Sequence, residues 1–309
     1  MKCLVTGGAG FVGSHLIERL LMDQHSVICL DDFSTGKEEN LVNIENEIEI
    51  IKSDIRDSDI IQEAIKDIDC IFHLAAQISV SRSVREPRFD ASVNIEGMIN
   101  LLEAIKDGSV KFIYISTGGA IYGEPESNPA SESTLEKPIS PYGLSKLVGE
   151  KYLQWFHSVY GLPYVIIRPA NIYGPRQDPL GEAGVISIFL GKIKKNEPLE
   201  IFGDGTDTRD YVYVKDITEM CILAMHSSTI DTFNAGTGYQ TNLLELINVI
   251  EHVTNSEVDK KFCDPRPGDV RYIALDSTKA YKQLGWKATT NITSGIQKTW
   301  EWFSSNQKI

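Results

Sequence analysis

Two residues four positions apart could do chemistry. In Tyr142-Gly143-Leu144-Ser145-Lys146 the tyrosine and the lysine stand at i and i+4, on one face of a helix. A phenol ordinarily titrates at about 10. An adjacent ammonium, helped by a second cation, stabilises the phenolate and lowers that value. The product is a general base that works near neutral pH. Alone this spacing is a common accident, and a surface pair is the plainer reading.

A second motif supplies the context. Thr6-Gly7-Gly8-Ala9-Gly10-Phe11-Val12-Gly13 spaces its glycines as Gly7-x-x-Gly10-x-x-Gly13, after an apolar run and before an amphipathic one. Backbone without side chains approaches a pyrophosphate closely, and the anion then rests on a helix N-terminus. Glycines also serve ordinary tight turns. Here the next apolar run ends in Asp31-Asp32, 18 positions beyond Gly13, where a carboxylate holds the hydroxyls of an adenine ribose. An acid there repels a 2′-phosphate, so NAD is expected rather than NADP. The spacing does not choose between Asp31 and Asp32. Asp54-Ile55 follows the third apolar run and fits a contact to the adenine ring or a turn-forming Asp equally well. The nicotinamide ring of such a cofactor is the second cation that the Tyr142/Lys146 pair calls for.

A third segment, Ile113-Tyr114-Ile115-Ser116-Thr117-Gly118-Gly119-Ala120-Ile121-Tyr122-Gly123, ends an apolar strand in two hydroxyls. Ligands of open α/β sheets bind outside the carboxyl ends of the strands. Ser116 or Thr117 can therefore hydrogen-bond the reacting oxygen beside Tyr142, the alternative being a strand-end turn.

These residues need elements to position them. Short apolar runs at 2–6, 26–30, 49–51, 70–74, 112–115 and 165–168 read as strands, and 11–22, 58–66, 87–106 and 141–160 as helices. Strands and helices alternating at this spacing imply βαβ units, hence an α/β fold with a doubly wound parallel sheet (Rossmann). Apolar runs without alternation fit strands covered on both faces. After Pro169 the pattern loosens, with Gly-, Pro- and Asp-rich loops at 174–181 and 203–207. This predicts a smaller C-terminal α/β substrate domain made of 172–210 and 241–309. Residues 1–171 form the NAD-binding domain, to which about 211–240 return, with 211–214 and 232–235 as the candidate returning strands.

Composition sets the outer limits. The chain has 309 residues, enough for a substantial core, with 42% apolar and 24% charged residues. Its net charge of −13 argues against a nucleic-acid footprint but leaves room for a small anion held by a few arginines. Cys3, Cys29, Cys70, Cys221 and Cys263 show no C-x-x-C pair and no metal-ligand spacing, which fits buried thiols in a reducing cytoplasm, with no metal. The start Met1-Lys2-Cys3-Leu4 runs straight into the glycine loop, leaving no room for a leader peptide, and no apolar stretch of about 18 residues exists to cross a membrane.

Together these motifs resemble the extended short-chain dehydrogenase/reductase superfamily, and within it the UDP-glucose 4-epimerase branch of nucleotide-sugar enzymes. The resemblance spans nearly the whole chain. It rests on the segments above, with His73-Leu74-Ala75-Ala76, Asn94, residues 168–176 and 202–212, and Arg266-Pro267-Gly268-Asp269. It implies that Gly7, Gly10, Phe11, Val12, Asp31, Asp32, Asp54, Ile55, Leu74, Ala75, Gln77, Asn94, Tyr142 and Lys146 line the NAD site. It implies that Asn171 contacts a nucleotide diphosphate, that Arg209 and Arg266 clamp its phosphates, and that Tyr211 and Asp269 help hold the nucleoside. Two arginines suit that task, because a guanidinium fits phosphate oxygens bidentately. A loop salt bridge of Arg209 with Asp207 or Asp210 is the rival reading. The implied reaction is reversible inversion at C4 of a UDP-hexose through a transient 4-keto sugar. Tyr142 takes the 4-hydroxyl proton, and NAD ends as it began. A place in galactose metabolism and a homodimer, seamed by Tyr and Leu side chains of the 87–106 and 141–160 helices, are implied too.

One departure stands out. The epimerase pattern has Ser or Thr where this chain has Gly118, so the hydroxyl role falls to Thr117 or Ser116, with Thr117 nearer that slot. By the same resemblance, Tyr272 or Ile273 gates room for a 2-N-acetyl group. An Ile273 facing the sugar predicts acceptance of the N-acetylhexosamine pair. A 4,6-dehydratase shares the fold but typically needs Asp-Glu just after the Ser/Thr, where Gly118-Gly119 stands. A decarboxylase, a 4-ketosugar reductase and a non-catalytic NAD-binding protein are the other readings.

Overall fold

Seven parallel strands lie in the order Asp231–Ala235, Tyr164–Pro169, Lys111–Ile115, Cys70–His73, Lys2–Thr6, Ser26–Asp31, Glu49–Lys52. Numbered along the chain, this is order 3-2-1-4-5-6-7, whose winding reverses between Lys2–Thr6 and Cys70–His73 and opens a crevice at the carboxyl ends of those two strands. This computed structural model describes residues 1–106, 108–180, 184–265 and 270–305.

The inner strands are buried on both faces, as their unbroken apolar runs require. Cys3, Val5, Cys29, Phe72, Ile113 and Val165 enter the core on one face, and Leu4, Ile28, Ile71, Phe112, Tyr114 and Ile166 on the other. Cys3, Cys29, Cys70 and Cys221 are buried free thiols, and Cys263 is half-buried. Among the described residues no helix is long and apolar enough to cross a membrane.

Of the two segments expected to return to the sheet, Asp231–Ala235 does, pairing with Tyr164–Pro169. Tyr211–Tyr213 does not: it pairs in parallel with Asn171–Tyr173 in a separate two-stranded sheet. Two further pairs, Leu199–Phe202 with Lys260–Cys263 and Thr208–Arg209 with Thr241–Asn242, build the rest of the C-terminal half. The helices Val185–Lys194, Leu243–Thr254 and Ile292–Ser305 enclose a second core of Phe189, Leu190, Leu246, Ile250, Ile296 and Phe303. Phe11 and Val12 pack against that core, so the glycine loop sits between the two halves.

The helix expected over 87–106 is broken. Pro87–Ala91 passes through a π turn at Ser92–Glu96 into Gly97–Ile105. Single π turns recur at functional sites, and this one carries the buried Asn94. By contrast, Pro141–Tyr160 is one continuous helix. Ser140 caps it by accepting the Gly143 N–H, Pro141 occupies its first turn, and Gly161 ends it at φ +75°.

The two helices expected to make a subunit seam differ as well. Leu101 and Leu102 of the first are fully buried in the chain's own core. On the second, Leu144, Tyr152, Trp155 and Val159 are exposed, and a shallow groove is lined by Val148, Lys151, Tyr152 and Trp155.

Candidate active site

The glycine loop leaves the strand Lys2–Thr6 and enters the helix Phe11–Met22, whose N-cap Gly10 offers no side-chain bond to the first turn. Its tightness is steric. Gly7 stands at φ +70°, and a Cβ there would lie 2.8 Å from the Ala75 nitrogen; a Cβ on Gly13 would lie 2.2 Å from the Gly7 oxygen. The loop thus presents bare backbone and an uncapped helix N-terminus, which suits a diphosphate.

The structure separates the two acids at the end of Ser26–Asp31. Asp31 is buried: Oδ2 accepts the Ala9 N–H at 2.9 Å and Oδ1 the Phe33 N–H at 2.8 Å. Burial pushes its pKa up from the ordinary carboxylate value, and the two backbone bonds oppose that rise. Asp32 is exposed and folds back onto the Ser34 N–H and hydroxyl. Asp54 makes a local turn as well. Its carboxylate accepts the Arg56 N–H at 2.8 Å and pairs with that guanidinium at 2.5 Å, while Ile55 is buried beside Gly97. The turn-forming reading therefore accounts for the Asp54 side chain.

The next strand end crosses to the reacting groups. Thr6 Oγ1 bonds His73 Nδ1 at 2.8 Å and accepts the Ala75 N–H at 3.2 Å, and the Leu74 N–H reaches the Thr6 carbonyl at 3.1 Å. His73 stacks on Tyr114 with ring centroids 5.6 Å apart, and Lys146 Nζ lies 4.4 Å from the centre of the same Tyr114 ring. Lys146 thus lies over the strand two places from the one that leads into the glycine loop. Beside it, Asn94 accepts the Gln77 N–H at 2.8 Å. Its amide donates to the Gln77 carbonyl, to Asp90 Oδ1 at 3.2 Å and to Ser145 Oγ at 3.0 Å. Gln77, Asp90, Asn94 and Ser145 are all buried.

The two strand-end hydroxyls part company. Ser116 is buried, and its Oγ donates to Glu150 Oε1 at 2.5 Å. Thr117 is half-buried, and its hydroxyl is near enough to the Tyr142 phenol to favour its ionisation. Gly118, in the slot expected to hold a hydroxyl residue, is packed so closely that a Cβ would meet Leu275 Cδ1 at 2.4 Å.

The lowering expected for Tyr142 is absent in the protein alone. Burial pushes the phenol up to about 12, with the nearby Thr117 hydroxyl opposing. Burial also pulls Lys146 down to about 7, with Glu150 and Asp90 resisting. The physical reason is that Lys146 stands over an aromatic face in a desolvated site, where its own charge is hard to keep. Depressing the phenol takes further positive charge close to its oxygen.

On the substrate side, Asn171 and Tyr211 are register partners in their small sheet, and a Cβ on Gly119 would lie 3.6 Å from Asn171 Oδ1. This brings Asn171 to the same strand end as Thr117. Tyr211 is buried, and burial drives its phenol well above the ordinary range. Arg209 donates to the carbonyls of Thr208, at 2.9 Å, and Arg271, at 3.4 Å. The expected rival salt bridge is not made: Asp207 pairs with Arg271, and Asp210 is engaged by Thr237, Gly238 and Leu275. Among the described residues Arg209 has no carboxylate partner, which leaves its charge for an anion. Arg266 and Asp269 lie outside the described residues. Of the two candidate gate residues, Ile273 is buried and Tyr272 is exposed beneath Arg271.

Spacing left Glu150 and Asp90 unnoticed. Glu150 was visible as the next i+4 position after Lys146, whereas nothing in the sequence signals that Asp90 reaches Gln77.

Comparison with known proteins places this geometry. Residues 4–299 match the family model described as GDP-mannose 4,6 dehydratase. The UDP-glucose 4-epimerase of Mycolicibacterium smegmatis is 44% identical over 315 residues, covering 100% of each chain. The crystal structure of the Thermotoga maritima UDP-glucose 4-epimerase with UDP-glucose is 43% identical, with a TM-score of 0.95 over 98% of this chain and 99% of that one. The Thermus thermophilus UDP-glucose 4-epimerase in complex with NAD is 39% identical, with a TM-score of 0.93 over 99% of both chains. With a doubly wound sheet, a glycine loop at its switch point and full-length matches of this kind, the chain belongs to the nucleotide-sugar epimerase/dehydratase family of the extended short-chain dehydrogenase/reductases.

Proposed function

We propose that this chain is an NAD-dependent UDP-glucose 4-epimerase, which interconverts UDP-glucose and UDP-galactose through a transient 4-keto sugar. The observation that carries the reading is the meeting of Thr117, Tyr142 and Lys146 at a strand end two strands from the glycine loop.

Gly7, Gly10, Phe11 and Val12 would cradle the cofactor's diphosphate, with Asp31 at its adenosine end and Leu74, Ala75, Gln77 and Asn94 along the strand end beneath it. When bound, NAD supplies a reversible two-electron acceptor and, in its oxidised ring, a fixed positive charge. Tyr142 takes the proton of the sugar's 4-hydroxyl and later returns it. Thr117 holds both oxygens in line, and Lys146 stabilises the phenolate. Arg209, with Arg266, grips the diphosphate, and Asn171, Tyr211 and Asp269 hold the nucleoside. Affinity then resides in the UDP moiety, which leaves the sugar free to turn between its two faces. Gly118-Gly119 offers no proton donor for eliminating water, which disfavours the dehydratase.

Purified protein should convert UDP-glucose to UDP-galactose without added reductant and release NAD on denaturation. No turnover of any UDP-hexose, with NAD and UDP still bound, would leave a binding protein. We also propose that Ile273 leaves room for a 2-N-acetyl group, so that the N-acetylhexosamine pair is accepted; strict rejection in the same assay removes that idea. The exposed Tyr152, Trp155 and Val159 favour a homodimer through the helix Pro141–Tyr160. The free thiols favour the cytoplasm, and the reaction belongs to galactose metabolism.

A further inference from the structure

We propose that Glu150 is a positioning residue of the site: from the helix that carries Tyr142 and Lys146, it clamps the strand end that carries Thr117 and sets a negative charge beside Lys146. The inference rests on the reading that Tyr142 and Lys146 perform the proton transfer.

The geometry is that of a cross-brace. Glu150 is fully buried two turns beyond Tyr142 and one turn beyond Lys146. Its Oε1 accepts the Ser116 hydroxyl at 2.5 Å and Arg168 Nε at 2.9 Å, and Oε2 accepts Arg168 Nη2 at 2.5 Å. Ser116 precedes Thr117, so this bond fixes the end of Lys111–Ile115 against the helix whose phenol Thr117 must meet. Arg168 in turn reaches the Tyr122 hydroxyl at 2.9 Å and Glu136 at 2.7 Å, and Tyr122 donates to Asn234 at 2.7 Å. One carboxylate thereby ties the helix to the two adjacent strands Lys111–Ile115 and Tyr164–Pro169.

The charge matters as well as the brace. Lys146 is faced by Glu150 on its own helix, by Asp90 from Pro87–Ala91, by Tyr114 from Lys111–Ile115 and by neutral His73 from Cys70–His73. Arg168 stands behind Glu150 on Tyr164–Pro169. Among the described residues, Glu150 and Asp90 favour the ammonium against burial. Neutralising Glu150 therefore moves loss of the ammonium to lower pH, and the positive charge of Arg168 acts in the same direction.

The test is the pH profile of kcat for UDP-glucose epimerisation by the NAD-loaded enzyme, in the wild type, Glu150→Gln and Ser116→Ala. Glu150→Gln keeps an acceptor for Ser116, and Arg168 retains Glu136 and Tyr122. The alkaline limb of its profile should move down by about one pH unit or more, with KM little changed. Ser116→Ala should lower kcat about tenfold with the limb unmoved, because it cuts the brace and leaves the charge. An unmoved limb in Glu150→Gln, or a wild-type kcat in Ser116→Ala, overturns the proposal. If Glu150→Gln fails to fold, Glu150→Asp should keep the wild-type limb at reduced kcat; a displaced limb there overturns it too. A folded wild type that epimerises no UDP-hexose overturns the underlying reading, an outcome distinct from any of these.

Discussion

Gly118 and Leu275 share one volume. A Cβ on Gly118 would lie 2.4 Å from Leu275 Cδ1 and 3.2 Å from the Arg168 carbonyl, so the space that a serine would need is filled by leucine. Gly118→Ser should therefore not add a useful hydroxyl. It should destabilise the fold by about 1–3 kcal/mol, as overpacking of a tight core does. Leu275→Ala in the same chain should relieve much of that cost. Thermal melts of the single and double variants check this, and a Gly118→Ser protein as stable as wild type would contradict it.

The partners of Ser116 and Thr117 decide between two adjacent hydroxyls. Ser116 is spent on Glu150, while Thr117 stands near the phenol of Tyr142 and favours its ionisation. Thr117→Val should lower kcat by about 10²-fold, the scale of one lost hydrogen bond at a developing charge. Tyr142→Phe should lower it by several orders of magnitude, since it removes the proposed base. Both should bind UDP as the wild type does, because neither residue belongs to the nucleotide clamp. Turnover and UDP titrations on the same preparations check this. A mild effect of Tyr142→Phe would remove it as the base.

Asp31 and Asp32 differ in the same decisive way. Asp31 ties the Ala9 N–H of the glycine loop to the end of the second strand, and a Cβ on Gly36 would lie 2.7 Å from its Oδ1. Asp32 holds only its own turn. Asp31→Asn should weaken NAD binding about tenfold or more, since the carboxylate shapes the loop and, in the proposed reading, meets the ribose, whereas Asp32→Asn should change it less than about threefold. Calorimetry on cofactor-stripped protein separates the two; equal losses would show that Asp31 has no special part.

The sheet was legible because parallel strands buried on both faces announce themselves as short apolar runs, and the helices between them by period. Tyr142 and Lys146 were legible because one helix turn fixes their relation. What local pattern could not reveal depends on contacts between distant segments. The π turn that carries the buried Asn94 lies beside Gly97, against which Ile55 packs, and no residue type in the segment implies it. Tyr211–Tyr213 left the main sheet because its partner is Asn171–Tyr173, and an apolar triplet says nothing about which edge it will pair with. The Tyr142 phenol shows a related limit: spacing reports the nearby ammonium but not the burial that opposes it in the protein alone.

Two buried histidines should make the fold sensitive to acid. His15 donates from Nε2 to the Pro175 carbonyl at 3.0 Å, and burial, with Arg176 nearby, brings it down to about 4. Because a carbonyl only accepts, Nε2 carries the proton in the folded state. His73, bonded to Thr6, is brought by burial to about 3. Both are neutral in the folded chain at pH 5, while in the unfolded chain they bind protons below about 6.5. Stability from this source is therefore complete above that value and falls as pH drops toward 4 for His15 and toward 3 for His73. Between pH 7.5 and 5, His15 alone should cost roughly 2 kcal/mol. Urea melts at the two pH values should show the loss, and His15→Gln, although less stable at pH 7.5 through its altered bond to Pro175, should lose less on acidification. An equal loss in the variant and the wild type would take His15 out of the acid response.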